Sequence, residues 1–187
     1  SKIFEYLKDN NVLTHYICLN SNNSIIAQKI KIIPLEIVLR NTAYGSICKQ
    51  TTLTPGTPLK EPLIDIYLKN DSLNDPLITK NRIRLLNLLS NEELEFIEKL
   101  TLSINLLLKD FFLKINLELI DFKLEFGTNT YGQLVLADEF SPDNCRLWDI
   151  NPADVNMRSL DKDRFRNDLG GLIEAYSEIN KRINNFI

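Results

Sequence analysis

The chain has 187 residues, 44% of them apolar and 25% charged, which is the makeup of a globular domain able to bury a core of its own. Lysines and arginines number 22 against 25 aspartates and glutamates, for a net charge of -3; a strongly basic surface is excluded, and with it nucleic acid as the main partner. The most apolar region, around residues 100 to 120, is cut by Lys109, Asp110, Lys114 and Glu118 and cannot span a membrane.

The opening "SKIFEYLKDNN" sets Ile3, Phe4 and Leu7 at helical spacing from the first residues, with only Ser1 ahead as a cap. No signal-peptide pattern is present. "VLTHYICLN" and "SIIAQKIKII" are β-rich runs around the turn "SNN". His15, the one histidine, is expected to be a packed, hydrogen-bonded residue of the first run, which leaves no multi-histidine metal site. Pro34 should interrupt the path, with "LEIVLRNTA" resuming as a strand and "YGSICKQ" forming a short helical turn. Residues 51–62 hold three prolines and a glycine and predict a loop; "LIDIYLKN" is a strand and "NDSLNDP" a polar turn.

From Asn91 to about Lys114 the period is helical, through Leu94, Ile97, Leu100, Ile104, Leu107 and Phe111, and "SNEE" supplies a cap with acidic first-turn residues. "LELIDFKLEFG" and "GQLVLADEF" predict a hairpin. A last long helix is expected from near Asp161 to about Asn184, with Gly170 and Gly171 inside it at about 1 kcal/mol each relative to alanine, where something should approach closely. The mixed order of hairpins and helices makes the fold α+β, not a regular βαβ series. Cys18, Cys48 and Cys145 are separated and odd in number, so they predict reduced thiols in a cytoplasmic compartment.

Chemistry concentrates on the hairpin. Asp121, Lys123 and Glu125 alternate with Phe122, Leu124 and Phe126. If Gly127 faces Gly132, then Asp121 faces Asp138, and Asp121, Lys123, Glu125 and Asp138 share one face. Such a face is either a solvated sheet surface or the polar floor of a site in which Glu125 and Asp138 hold Mg²⁺ beside phosphates. "EFSPDNCRLWD", read as a turn-rich stretch, adds Arg146, suited to bidentate binding of carboxylate or phosphate, or simply to pairing with a nearby aspartate. "VLRNTAYGS" brings Arg40 and Ser46 to a strand end and a possible helix start, a weak phosphate signal. "LKNDSLNDP" offers Lys69 and Asp75, which in isolation read as an Asx-turn segment. "DKDRFR" either caps the last helix with Asp161 or Asp163 and places Arg164 or Arg166 inward, or is simply a charged first helical turn. No GxxxxGK[ST] or GxGxxG loop occurs.

The stretches "LEIVLRNTAYGS", "LIDIYLKND", "LIDFKLEFG", "LADEFSPDNCRLWD" and "DKDRFRNDLGGLIEAY", in that order, resemble the SAICAR synthetase family, from about residue 1 to 182. The resemblance implies an ATP-dependent ligase of purine biosynthesis that joins the carboxylate of CAIR, an aminoimidazole ribonucleotide, to the amine of L-aspartate. The implied course is phosphorylation of the carboxylate and attack of the amine on the acyl phosphate, chemistry that asks for positioning and charge neutralisation and needs no histidine. By resemblance, Glu125 and Asp138 are metal carboxylates, Lys123 contacts phosphate or the reacting carboxylate, and Asp121 orients the site. Arg40 and Ser46 hold the ribonucleotide phosphate, Arg146 binds CAIR with Arg166, and Lys69 and Asp75 line the CAIR or aspartate pocket. Gln28, Lys29 and Ile30 occupy the adenine-contacting hinge.

The resemblance further implies a two-lobed fold like that of protein kinases or ATP-grasp enzymes, with residues 1–31 a remnant of a small ATP lobe and 32–187 the CAIR- and aspartate-binding domain. The family's "GKAK"-type loop over the ATP phosphates has no counterpart here, so most of the small lobe is expected to be missing and turnover to suffer more than ribonucleotide binding. A homodimer stays open. So do two other readings, a small-molecule kinase on the same ATP and Mg²⁺ groups and a non-catalytic substrate-binding fragment.

Overall fold

The computed structural model describes residues 1–21, 23–152, 154 and 157–186. Helix α1 (Lys2–Asp9) leads into β1 (Tyr16–Ser21) and β2 (Ser24–Ala27), which pair antiparallel as a two-stranded sheet. Then follow β3 (Lys31–Ala43), α2 (Ser46–Gln50), β4 (Thr57–Leu68), α3 (Lys80–Leu85) and α4 (Asn91–Lys114). The chain ends with β5 (Leu117–Thr128), β6 (Leu134–Ala137), β7 (Cys145–Asp149), α5 (Asp163–Arg166) and α6 (Leu172–Phe186). The main sheet runs β4-β3-β5-β6, with β7 also paired to β5. This is an α+β architecture built on antiparallel pairing.

Helix α4 has the expected limits because its start is chemically specified. The Ser90 Oγ accepts from Glu93 N–H at 3.1 Å and Glu93 Oε2 accepts from Ser90 N–H at 2.8 Å, a reciprocal capping box. Its stripe is buried at Leu94, Ile97, Ile104 and Phe111.

Four local expectations are corrected. Pro34 does not interrupt β3, which passes through it: the ring points to solvent, and the backbone carbonyl still accepts from Lys69 N–H at 3.0 Å. The expected loop at 51–62 ends early, since β4 starts at Thr57 and contains Pro58 and Pro62. β4 is an edge strand, the place in a sheet where a missing N–H does least harm. "CRLWD", expected as part of a turn-rich stretch, is strand β7. The expected last helix is two helices. Gly170 and Gly171 adopt φ of 67° and 62°, a left-handed conformation that ends α5's segment before α6 begins, so neither glycine costs helix propensity. Something does approach one of them: a Cβ on Gly171 would lie 3.2 Å from Arg164 Nη2.

Two compact units share the chain. The first comprises Ser1–Val38, Ile64–Ile104 and Leu124–Glu139. It buries Phe4 and Leu7 of α1, Leu35 and Ile37 of β3, Ile97 of α4 and Phe126 of β5. The second comprises Leu39–Leu63, Asn105–Lys123 and Phe140–Ile187. Its interior holds Leu39, Phe111, Phe112, Phe122, Leu147 and Ile179. Among the described residues no helix is long and apolar enough to cross a membrane.

Candidate functional site

The polar face of β5 is not a solvated surface. Asp121 and Glu125 are each only 2% exposed, as buried as the phenylalanines between and beside them. A buried carboxylate must be paired or hydrogen-bonded, and each is.

In the second unit the β5–β7 register sets Asp121 opposite Arg146, and Phe122 opposite Cys145. This corrects the expected pairing of Asp121 with Asp138. The Asp121 Oδ2 accepts from Arg146 Nη1 at 2.7 Å and from Arg40 Nη1 at 3.3 Å. Arg40, near the end of β3, also donates through Nη2 to Ser46 Oγ at 2.9 Å and through Nη1 to the Tyr44 carbonyl at 3.2 Å. Arg146 donates through Nε to Asp163 Oδ2 at 2.6 Å. Burial alone would lower the Arg146 pKa, but Asp121 and Asp163 beside it hold it above the ordinary value, so the guanidinium stays charged. Its Cζ lies 5.2 Å from the centre of the Tyr44 ring, which in turn meets Trp148 edge-on at 5.3 Å. Burial, then the nearby Asp163, raises the Tyr44 pKa.

Some of these groups border a cavity of about 580 Å³, lined by Tyr44, Gly45, Ser46, Arg146, Asp163 and Arg166 among others. Gly45 is needed there: its φ is 72°, and a Cβ on it would stand 2.9 Å from Arg146 Nη2. The "DKDRFR" alternatives resolve by side chain. Arg164 turns inward and is buried, donating through Nε to the Gly170 carbonyl at 2.7 Å and through Nη1 to the Ser159 carbonyl at 3.0 Å. Arg166 stands at the cavity rim, its Nη1 3.8 Å from Asp163 Oδ1. Arg40 does not line the cavity; it reaches it through the Ser46 hydroxyl.

The first unit holds the other expected residues. The β5–β6 register places Glu125 opposite Ala137 and Gly127 opposite Val135, three residues away from the expected Gly127–Gly132 pairing. An odd slip exchanges the faces of the partner strand, and Asp138 lies just past β6 at a φ of 61°. The Glu125 carboxylate takes both of its oxygens to Lys69 Nζ, at 2.7 and 2.8 Å. The Asp75 Oδ1 accepts from Asn70 N–H at 2.7 Å and so closes its own turn. Gln28 donates its backbone N–H to the His15 carbonyl at 2.7 Å and borders a cavity of about 440 Å³ together with Thr14 and Tyr16. Ile30 packs where a side chain at Gly127 would be, its Cδ1 2.7 Å from that Cβ position. Lys29 is exposed. Lys123 is half-buried, and its N–H donates to the Asn144 carbonyl at 2.8 Å, within the second unit. His15 is held by its N–H to the Leu136 carbonyl at 2.8 Å; burial lowers its pKa, against the attraction of Asp138.

The comparisons with known proteins decide the family. A SAICAR synthetase family model matches residues 1–183. The chain belongs to the SAICAR synthetase family. It is 72% identical over 187 residues to the phosphoribosylaminoimidazole-succinocarboxamide synthase of Prochlorococcus marinus subsp. pastoris, covering 100% of this chain and 77% of that protein. The corresponding protein of Nostoc punctiforme is 48% identical over 183 residues, 98% of this chain and 75% of that one. Among solved structures, a SAICAR synthetase in complex with ADP matches with a TM-score of 0.91 at 43% identity, over 98% of this chain and 76% of that chain. The synthase of Ehrlichia chaffeensis matches with a TM-score of 0.93 at 42% identity, over 98% of this chain and 77% of that chain.

Several lining residues carried no signal strong enough to single them out from sequence. Asp163 was expected only as a helix cap, and Tyr44, Lys49 and Asn167 were not expected at all. The one usable hint was "YGS": a glycine forced to positive φ just before a helix marks a close approach, here by Arg146.

Proposed function

We propose that this chain carries the substrate groups of an ATP-dependent ligase that joins the carboxylate of CAIR to the amino group of L-aspartate, giving SAICAR, ADP and phosphate. The observation that carries the reading is the cavity wall on which Ser46, Arg146 and Arg166 stand together, with Arg40 behind Ser46. Such a set of donors suits a phosphate dianion. In this reading the CAIR phosphate meets Ser46 and Arg146, while Arg40 orients the Ser46 hydroxyl and adds its charge from behind. Asp121 fixes the two guanidinium groups. Lys123 contacts a phosphate or the reacting carboxylate, and Lys69 and Asp75 face CAIR or aspartate. Gln28, Lys29 and Ile30 meet the adenine through main-chain groups, with residues 1–31 on the nucleotide side and 32–187 on the substrate side. The compartment is the cytoplasm.

Mg²⁺ takes oxygen ligands, and the first unit supplies two carboxylates: buried Glu125, paired with Lys69, whose side chain is 43% exposed, and Asp138 just past β6. Glu125 and Asp138 would hold the ion; when bound, it offsets the charge of nucleotide phosphate oxygens.

The reading is tested by supplying ATP, CAIR and aspartate together and in pairs, and following ADP and SAICAR. ADP formation that requires both CAIR and aspartate is the expected result. Release with a single hydroxyl substrate would mark a kinase, and CAIR binding with no product would mark a substrate-binding fragment.

A further inference from the structure

We infer that Asp163 is a positioning residue that aims Arg146 and Arg166 at the ribonucleotide phosphate, an inference that rests on the proposed CAIR reading of the cavity. One carboxylate serves two guanidinium groups: Oδ2 accepts from Arg146 Nε at 2.6 Å, and Oδ1 lies 3.8 Å from Arg166 Nη1. Arg146 is thereby held at two points, at Nε by Asp163 and at Nη1 by Asp121. A guanidinium fixed along two of its edges cannot rotate. Its Nη2 has no hydrogen-bond partner among the described residues. It lies over Gly45, where the absence of a side chain keeps that edge open.

Asp163 is itself fixed. Its backbone N–H donates to Asp161 Oδ1 at 2.9 Å, and Asp161 Oδ2 accepts from Leu147 N–H, also at 2.9 Å. Leu147 is the neighbour of Arg146 on β7. Asp161, fully buried, therefore ties the backbone beside Arg146 to the backbone of Asp163. The ion pair is built between two segments already tied together, so its geometry is inherited from the backbone and not from two mobile side chains.

The alternative is that Asp163 only balances charge, and the two ideas predict opposite signs. If net charge governed binding, Asp163→Asn would leave the cavity more positive and bind phosphate more tightly. If Asp163 positions Arg146, the same change loosens the hold on Nε, since a neutral amide oxygen binds a guanidinium less strongly than a carboxylate does, and weakens phosphate binding although the cavity has become more positive. The measurement is calorimetric titration of CAIR and of the corresponding nucleoside, which lacks the 5′-phosphate, with the unaltered protein, Asp163→Asn and Asp163→Glu. In the unaltered protein CAIR should bind more tightly than the nucleoside; equal binding there would overturn the CAIR reading itself. In Asp163→Asn the preference for CAIR should shrink about tenfold, with nucleoside affinity little changed, since what is lost is the alignment of a charged hydrogen bond. A general loss of structure would weaken both ligands alike. Should Asp163→Asn not fold, Asp163→Glu decides, because it keeps the charge and moves the Arg146 anchor by one methylene; its preference for CAIR should fall at least threefold. A preference unchanged or increased in the folded variant would overturn the positioning role while leaving the CAIR reading in place.

Discussion

Asp121 and Arg146 are cross-strand partners on β5 and β7, and the register that makes them neighbours also brings Asp121 Oδ2 within 2.7 Å of Arg146 Nη1. A buried carboxylate thus faces the residue that walls the cavity. The side chains of Asp121 and Arg146 are 3% and 10% exposed, so solvent screens the pair little.

Breaking one side of a buried pair is far more damaging than its net contribution suggests. Asp121→Ala removes the carboxylate shared by Arg40 and Arg146 and should destabilise the protein by about 3–5 kcal/mol. Asp121→Asn, which keeps an acceptor oxygen, should cost less. Urea unfolding at constant slope reads both, and a loss below about 1 kcal/mol in the alanine variant would show that the pair is not organising this wall.

Arg40 donates to the hydroxyl of Ser46, which lines the cavity, so the two side chains are coupled. Arg40→Ala and Ser46→Ala should each weaken CAIR binding by about 1.5–3 kcal/mol, the range for hydrogen bonds to charged groups, and leave ATP affinity unchanged. The double variant should lose clearly less than the sum, because the two side chains act as one unit. Strictly additive losses would mean that each group meets the phosphate independently.

How far the sequence carried depended on whether the deciding interaction is local. The capping box of Ser90 and Glu93 lies within three residues, and helix α4 was readable from start to end. The glycine pair after α5 was visible, but its meaning was not: only the fold decides whether a glycine takes positive φ or sits in a helix. Strand β4 begins before its sequence suggests, because Pro58 and Pro62 argue against a central strand and nothing in the local pattern says that the strand lies at an edge. Alternation shows that Asp121, Lys123 and Glu125 share a face, while the side on which Asp138 falls depends on a register set by the turn, three residues from the one its two glycines suggest. Asp163 was legible as an acidic residue at a helix start; its bond to a guanidinium 17 positions away follows from tertiary structure alone.

Asp138 provides the test of the metal. If Asp138 and Glu125 hold Mg²⁺, Asp138→Asn replaces a charged oxygen ligand with a neutral one and should weaken ATP binding about tenfold in the presence of Mg²⁺. Binding measured in excess chelator should not change. Equal weakening with and without Mg²⁺ would place Asp138 on the nucleotide or in the structure, and not on the ion.

The last prediction concerns Asp161. Burial, as the largest cause, pushes its pKa up from 3.8 to about 6, against the two backbone N–H bonds it accepts. The folded protein therefore keeps this carboxyl protonated over a range in which the unfolded chain has already released the proton. The native state binds more protons than the unfolded state between pH 3.8 and about 6, so this group's contribution is complete below that window and is lost as pH rises through it. The rise from 3.8 to about 6 corresponds to about 3 kcal/mol. Asp161→Asn, uncharged at every pH, should lack this loss. The expected outcome is that the unfolding free energy of the unaltered protein, measured by urea at a series of pH values from 4 to 7, falls relative to that of Asp161→Asn as pH rises toward 6, after which the two run parallel. If the difference between them stays constant across that window, Asp161 is ionised in the folded protein throughout, and the two N–H bonds outweigh burial.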